Sequence, residues 1–64
     1  MKIFINGEQR DVASAILSDV LEECGFSGRV ATAVNEVFVP SAARDRTELT
    51  DGDRIEVLAA MQGG

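Results

Sequence analysis

The sequence lacks histidine altogether, and its 64 residues include a single cysteine, Cys24. One cysteine can form neither an internal disulfide nor a thiolate metal cluster, so a reducing, cytoplasmic setting is expected. Cys24 falls on an apolar stripe, which favours a small buried hydrophobic residue. The alternative is a thiol that takes part in sulfur chemistry.

Basic residues are also scarce. Six lysines and arginines stand against eleven acidic residues, and the formal net charge is -5. A chain of this charge repels a phosphate backbone, which argues against nucleic acid as a partner. A basic surface on a protein partner fits better.

Long apolar runs are missing as well. Residues 1–7 turn polar too early for a signal peptide, and no run approaches the ~18 apolar residues of a membrane span. A chain this short forms one domain, expected to be monomeric when free, and buries only about 60% of the surface that its unfolded form exposes. It has no room for an internal active-site cavity, which argues against a self-sufficient enzyme.

The N-terminal residues predict a β-hairpin. Apolar and polar residues alternate over residues 1–6, with the period of two that is typical of a strand. Asn6-Gly7 supplies the left-handed conformations of a type I′ turn. The second strand, from Glu8 to Val12 or Ala13, is polar enough for the edge of a sheet.

A helical period follows. The apolar residues of its stripe are Ile16, Leu17, Val20, Leu21 and Cys24. Ser14 is the expected N-cap, and Gly25 is expected to take the left-handed position after the last turn.

The opposite face of this helix is acidic, with Asp19, Glu22 and Glu23. Glu22 and Glu23 lie near the helix C-terminus, where the helix dipole disfavours acids by a few tenths of a kcal/mol. This acidic face is either simply exposed to solvent or forms part of a surface that a partner recognises.

The second half predicts three more strands. Residues 30–34 (Val-Ala-Thr-Ala-Val) read as a central strand buried on both faces. A tight turn at Asn35-Glu36 leads to the short strand of residues 37–39, which Pro40 ends. Residues 41–47 form a polar, irregular segment with room for one short helical turn, and Leu49 is a lone core anchor.

Residues 50–53 (Thr-Asp-Gly-Asp) predict a turn into the last strand, residues 54–58. The turn resembles the start of a calcium loop. Since the chain lacks the further oxygen ligands and the bidentate glutamate that such a loop needs, no metal site is expected.

These elements predict an α+β domain over residues 1–59, in which one main helix lies across a mixed sheet of four to five strands. The last strand is expected to pair beside the first in parallel. Residues 60–64 form a flexible tail that could extend roughly 17 Å. It ends in two glycines, which lack a side chain and so need little width. The one chemical group that the tail offers for reaction is the α-carboxylate of Gly64.

Taken together, these features resemble the sulfur-carrier proteins of thiamin biosynthesis, the ThiS family, which have a ubiquitin-like β-grasp fold. The resemblance rests on the Asn-Gly hairpin, the striped helix, the Val-Ala-Thr-Ala-Val-Asn strand, the Leu-Thr-Asp-Gly-Asp-Arg-Ile turn and the terminal Gly-Gly. Small subunits of molybdopterin synthase (MoaD) share the fold and ending but typically run longer. The short segment 41–47 favours the thiamin branch. Relatives often have a threonine as the helix N-cap at the position that corresponds to Ile16. The predicted first residue of the helix therefore has a range of about two positions.

The resemblance implies a protein co-substrate and not an enzyme. An E1-like adenylyltransferase (ThiF-type) would use ATP and magnesium to adenylate Gly64, and sulfur from a cysteine desulfurase would convert it to a thiocarboxylate. Thiazole synthase (ThiG-type) would then take the sulfur. Gly63 would let the tail pass a narrow channel, and Gln62 and Met61 would help to seat it. The carrier itself would bind no cofactor, no metal, no nucleic acid and no membrane.

Other functions stay open at this point. The chain could be a MoaD-like subunit, a sulfur carrier for another pathway or a modifier that forms isopeptide bonds. It could also be a small β-grasp interaction domain without sulfur chemistry. Only the interaction domain would tolerate an extra residue after Gly64.

Overall fold

The computed structural model describes residues 1–59. This part of the chain contains five strands, one α-helix and one 3₁₀ helix, joined by turns and loops. In chain order the elements are β1 (Lys2–Ile5), β2 (Glu8–Asp11), α1 (Leu17–Glu23), β3 (Val30–Val34), β4 (Val37–Val39), the 3₁₀ helix (Ser41–Arg46) and β5 (Arg54–Ala59).

The strands form one mixed sheet in the order β2-β1-β5-β3-β4. β1 and β5 pair in parallel, and the other three neighbouring pairs are antiparallel. The predicted mixed sheet with one main helix, and the predicted parallel contact between the first and last strands, are confirmed. β5 therefore occupies the centre of the sheet.

The core lies between α1 and one face of the sheet, which we call the inner face. Its buried apolar residues are Ile3, Ile5, Val12, Leu17, Val20, Leu21, Val39, Leu49, Ile55 and Val57. The alternation of Ile3 with Ile5 and of Ile55 with Val57 follows from the period of two in a strand, which sends every second side chain inward. Leu49 is 4% exposed, so its role as a core anchor is confirmed.

Two tight turns have the left-handed backbone that hairpins with two-residue loops require. Asn6 and Gly7 have φ of 52° and 83°, which confirms the first hairpin. Asn35 and Glu36 have φ of 49° and 71° and connect β3 to β4. Gly25, with φ of 83°, takes the left-handed position after α1 as expected.

The prediction of Ser14 as the helix N-cap is wrong. The helix begins at Leu17, with Ile16 in extended conformation at the N-cap and no side-chain cap. Ile16 is bridged to Glu48, and the N–H of Leu17 donates to the carbonyl of Thr47 at 2.9 Å. This pairing with the segment after the 3₁₀ helix keeps the chain extended and satisfies a backbone N–H that a cap would otherwise bind.

The prediction that residues 30–34 are buried on both faces is also wrong. β3 is a strand, but Thr32 is its single buried residue, and Ala31 is exposed. The physical reason is that one helix can cover only one face of a sheet. The apolar run includes outward-facing alanines, which are small enough to stand in water at little cost.

Cys24 is half-buried and packs against the core. Its position agrees with the interpretation as a small hydrophobic residue. No helix within residues 1–59 has the length and apolar character needed to cross a membrane.

Candidate functional site

The predicted site residues Met61, Gln62, Gly63 and Gly64 lie outside the described residues, as does Ala60. The structure bears on the site through the strand from which the tail departs. That strand is β5, and Ala59 is its last residue.

β5 is held on both of its edges. Its β3 edge is paired along almost the whole strand, from Val34 opposite Ile55 to Val30 opposite Ala59. Its β1 edge is paired only at the start, with Ile5 opposite Ile55 as the last pair. The root of the tail is thus fixed by β3, while β1 ends four residues too early to reach it.

The side chain of Asn6 contacts β5 beyond that last pair. Its Oδ1 accepts a hydrogen bond from the N–H of Val57 at 2.9 Å, and its Nδ2 donates to the carbonyl of Val57 at 3.1 Å. The sequence identified Asn6 only as a turn residue. Its side-chain contacts join residues 51 positions apart, and no local pattern indicates them.

Asn35 makes a similar pair of contacts at the other end of β5. Its Oδ1 accepts from the N–H of Arg54 at 2.9 Å, and its Nδ2 donates to Oδ1 of Asp53 at 3.0 Å. Both turn asparagines therefore bind the strand that carries the tail. Asn35 binds its first residue, Arg54, and Asn6 binds Val57 near its end.

An apolar strip lies beside the root of the tail on the outer face of the sheet, which is the face away from α1. We define the apolar strip as Ala31, Ala33, Phe38 and Leu58. Ala31 is opposite Leu58 and Ala33 is opposite Phe38 in the strand register, so the four residues adjoin across three strands. Phe38 and Leu58 are each 66% exposed, and the strip, together with Thr32 and the exposed Glu56, lines a shallow depression of about 140 Å³. Exposed large apolar side chains gathered in this way are typical of a protein interaction surface.

The acidic helix face is only partly available to a partner. The carboxylate of Glu23 accepts hydrogen bonds from the N–H of Ala13 at 2.9 Å and of Ser14 at 3.1 Å. These two bonds, that of Ala13 first, lower the pKa of Glu23 below its ordinary value. Glu23 therefore fixes the segment before the helix, while Asp19 and Glu22 stay exposed.

The turn that resembles a calcium loop uses its carboxylates within the chain. Asp51 accepts from the N–H of Lys2 at 2.7 Å, and Asp53 accepts from the N–H of Thr50 at 2.9 Å. Partial burial raises the pKa of Asp53, but the hydrogen bonds from Thr50 and Asn35 outweigh it, and the net pKa is lowered. Within residues 1–59 no three cysteine or acidic side chains come together in an arrangement that could hold a metal ion.

Comparison with known proteins places these features in a family. The model of the ThiS family matches residues 3–64. The chain is 44% identical over 64 residues to the sulfur carrier protein ThiS of Thermus thermophilus, an alignment that covers 97% of this chain and 98% of that protein. It is also 38% identical over 66 residues to a thiazole synthase of Paramagnetospirillum magneticum, where the alignment covers 100% of this chain and 20% of that protein.

Two solved structures of a thiamine biosynthesis protein (ThiS) from Geobacter metallireducens have the same fold, at 28% sequence identity. The crystal structure superposes with a TM-score of 0.85 and covers 100% of both chains. The solution structure superposes with a TM-score of 0.77 and covers 100% of this chain and 88% of that one. The expected β-grasp is thereby confirmed, and the relatives support the thiamin branch over the molybdopterin branch. Because the family match, the relative from Thermus thermophilus and the shared fold all extend over nearly the whole chain, this chain belongs to the ThiS family and is a sulfur carrier, not an enzyme.

Proposed function

We propose that this chain carries sulfur as a thiocarboxylate on Gly64 and donates it to a thiazole synthase. One observation carries the proposal: in a ThiS-family chain, a strand that is paired with β3 up to its last residue ends at Ala59, and three residues separate it from a terminal Gly-Gly. A fixed root and a narrow tail of this length are what a carrier needs to place one reactive group inside a partner. The tail can reach roughly 17 Å beyond the sheet.

The chemistry at Gly64 requires activation. A carboxylate resists nucleophilic attack because of its charge and resonance. The Gly64 carboxylate oxygen attacks the α-phosphate of ATP, and pyrophosphate leaves. The terminal sulfur of a persulfide then attacks the carbonyl carbon of the acyl-adenylate, and AMP leaves with its oxygen. A thiol reductant cleaves the S–S bond of the resulting acyl disulfide, which leaves the thiocarboxylate on Gly64 and oxidises the thiol. ATP and magnesium belong to the activating partner, an E1-like enzyme of ThiF type, and a cysteine desulfurase supplies the sulfur.

The proposed acceptor is a thiazole synthase of ThiG type. A stretch of a Paramagnetospirillum magneticum thiazole synthase resembles this whole chain, so a carrier-like sequence and a synthase share one polypeptide there. That arrangement supports a direct interaction between a sulfur carrier and a thiazole synthase. ATP-dependent activation and thiol chemistry fit the cytoplasm, where we place the protein.

The apolar strip is the proposed docking surface on the carrier. It adjoins the root of the tail, so a partner that binds it also receives the tail. The formal charge of -5 steers the carrier to a basic partner surface, and charge of this kind mainly sets the rate of association and the choice of partner. The exposed acids Asp19 and Glu22 contribute to that charge.

The test is the intact mass of the protein after incubation with ATP, magnesium, a ThiF-type enzyme, a cysteine desulfurase, cysteine and a thiol reductant. We expect the mass to rise by the difference between sulfur and oxygen, with the change confined to the C-terminal peptide. Deletion of Gly64, or addition of alanine after it, should abolish the change without unfolding the domain. Sulfur on the extended chain, or none on the wild-type chain with cognate partners, would overturn the proposal.

A further inference from the structure

The central strand extends past its parallel neighbour. β1 ends at Ile5, opposite Ile55, and the chain then turns away at Asn6 and Gly7, while β5 continues to Ala59. Along the β1 edge, the regular ladder includes the bond from the N–H of Phe4 to the carbonyl of Asp53 and, as its continuation, the bond from the N–H of Asn6 to the carbonyl of Ile55, both at 2.9 Å. The next residue of β5 that faces this edge is Val57.

The carboxamide of Asn6 takes the next two positions of the ladder. A primary amide presents one acceptor and one donor side by side, as a peptide group does, and Asn6 offers both to the backbone of Val57. Together with its own N–H, Asn6 therefore makes three hydrogen bonds to β5. It prolongs the parallel pairing one step beyond the point where β1 has ended.

We propose that Asn6 is a positioning residue for the sulfur-carrying tail. Its carboxamide fixes Val57 two residues before the end of the strand, so the part of β5 that leads into the tail is held on its β1 edge as well as by β3. Without the carboxamide, residues 57–59 keep their pairing to β3 alone. A partner would then have to order part of the strand as well as the tail, which weakens binding. The expected effect on partner binding rests on the proposed function. The contact by which Asn6 holds Val57 does not depend on it.

The turn itself does not require asparagine. Gly in place of Asn6 adopts φ near 52° without strain, so Asn6→Gly removes the two carboxamide bonds and keeps the hairpin. Asn35→Gly is the matched control. It also replaces a left-handed turn asparagine, and it also removes two side-chain bonds, but at the start of β5.

The first measurement is native-state amide hydrogen exchange of the free chain. We expect exchange at Val57 to accelerate about tenfold in Asn6→Gly, as loss of one hydrogen bond of about 1.4 kcal/mol implies, and to stay at the wild-type rate in Asn35→Gly. Equal exchange at Val57 in the wild type and in Asn6→Gly would overturn the premise. Asn6→Asp provides a second variant of nearly the same size. It removes the Nδ2 donor but keeps an oxygen that accepts from the N–H of Val57, so exchange at Val57 should accelerate less than in Asn6→Gly.

The second measurement is the rate of Gly64 activation by a ThiF-type enzyme as the carrier concentration is varied. We expect KM for the carrier to rise about three- to tenfold in Asn6→Gly, with kcat within about twofold of wild type, since a frayed root costs binding more than chemistry. Asn35→Gly should leave both constants near wild type. An equal rise of KM in both variants would show a general loss of stability and overturn the positioning role. A wild-type chain that is never activated would instead overturn the proposed function, and the exchange comparison would still decide whether Asn6 holds the strand.

Discussion

The guanidinium of Arg44 donates from Nε to Oγ1 of Thr32 at 3.0 Å. Thr32 is 2% exposed and is the one buried polar residue within the described residues, and its hydroxyl donates in turn to the carbonyl of Val39 at 2.8 Å. Nη2 of Arg44 also donates to the carbonyl of Val30. One side chain of the 3₁₀ helix thus ties that helix to the far edge of the sheet.

Replacing Arg44 with alanine should lower the free energy of unfolding by about 1 to 3 kcal/mol, because two part-buried acceptors lose a charged donor. Lys in its place should recover only part of this loss, since an ammonium lacks the planar fork that reaches both acceptors. Urea unfolding at neutral pH measures the effect. Arg46→Ala, an exposed change in the same helix, should stay within about 0.5 kcal/mol of wild type. Equal losses in the two alanine variants would contradict the assigned role.

Leu58→Asp should impair partner binding with little effect on the fold. Leu58 is 66% exposed, so a change there costs the free chain little, while a charge in a desolvated interface raises Kd about tenfold or more. Titration calorimetry with a ThiF-type enzyme or a thiazole synthase gives the affinity. Val37→Asp is the matched control, because Val37 is equally exposed but lies outside the apolar strip. If both variants bind as wild type does, the strip is not the docking surface.

Glu23→Gln should make the domain less stable at neutral pH and less sensitive to acid. The folded-state pKa of Glu23 is lowered, so its stabilising effect is present above the unfolded pKa, near 4.5, and is lost as pH falls through the folded pKa. The difference in stability between wild type and Glu23→Gln should therefore narrow as the pH falls below about 4.5 and through the lowered folded-state pKa of Glu23. Asp53 shifts in the same direction in both proteins and cancels in the comparison.

Thermal unfolding at a series of pH values measures this effect. Glu22→Gln serves as the control, because the Glu22 side chain is exposed and makes no hydrogen bond within residues 1–59. A stability difference for Glu23→Gln that is the same at pH 3 as at pH 7 would contradict the assignment.

Cys24→Ser should cost about 1 kcal/mol of stability and leave sulfur loading intact, since a half-buried thiol that packs on the core is replaced by a more polar hydroxyl. Chemical unfolding and the mass assay on Gly64 measure the two effects separately. A folded Cys24→Ser chain that no longer accepts sulfur would show that the thiol takes part in the transfer. Cys24→Ala distinguishes the loss of packing from the effect of the hydroxyl.

Local signals were sufficient where the structure depends on local chemistry. Asn6-Gly7 determines its own turn, and the alternation of Ile55 with Val57 indicates which side of β5 faces the core. Burial of residues 30–34 on both faces could not be decided locally, because it depends on how many layers cover the sheet. The apolar run looks the same whether a second layer is present or not.

The remaining errors and omissions come from contacts between distant segments. Ser14 has the right chemistry for an N-cap, but its N–H is bound by Glu23, and the helix starts only after the chain has paired with residue 48. The carboxamide contacts of Asn6 depend on a strand 51 positions away. Contacts of this kind depend on which strands become neighbours in the folded chain. The residues around Asn6 or Ser14 do not by themselves indicate those neighbours.

The parallel pairing of β1 with β5 separates the two ends of the domain. Met1 lies about four residues before the last shared pair, and Ala59 lies four residues after it, so roughly 25 Å of sheet separates them at ~3.3 Å per residue. A resin, a fluorophore or another protein domain joined ahead of Met1 therefore sits at the opposite pole from Ala59, where the tail begins. The carrier can be tethered at that pole and still present its tail to an enzyme in solution.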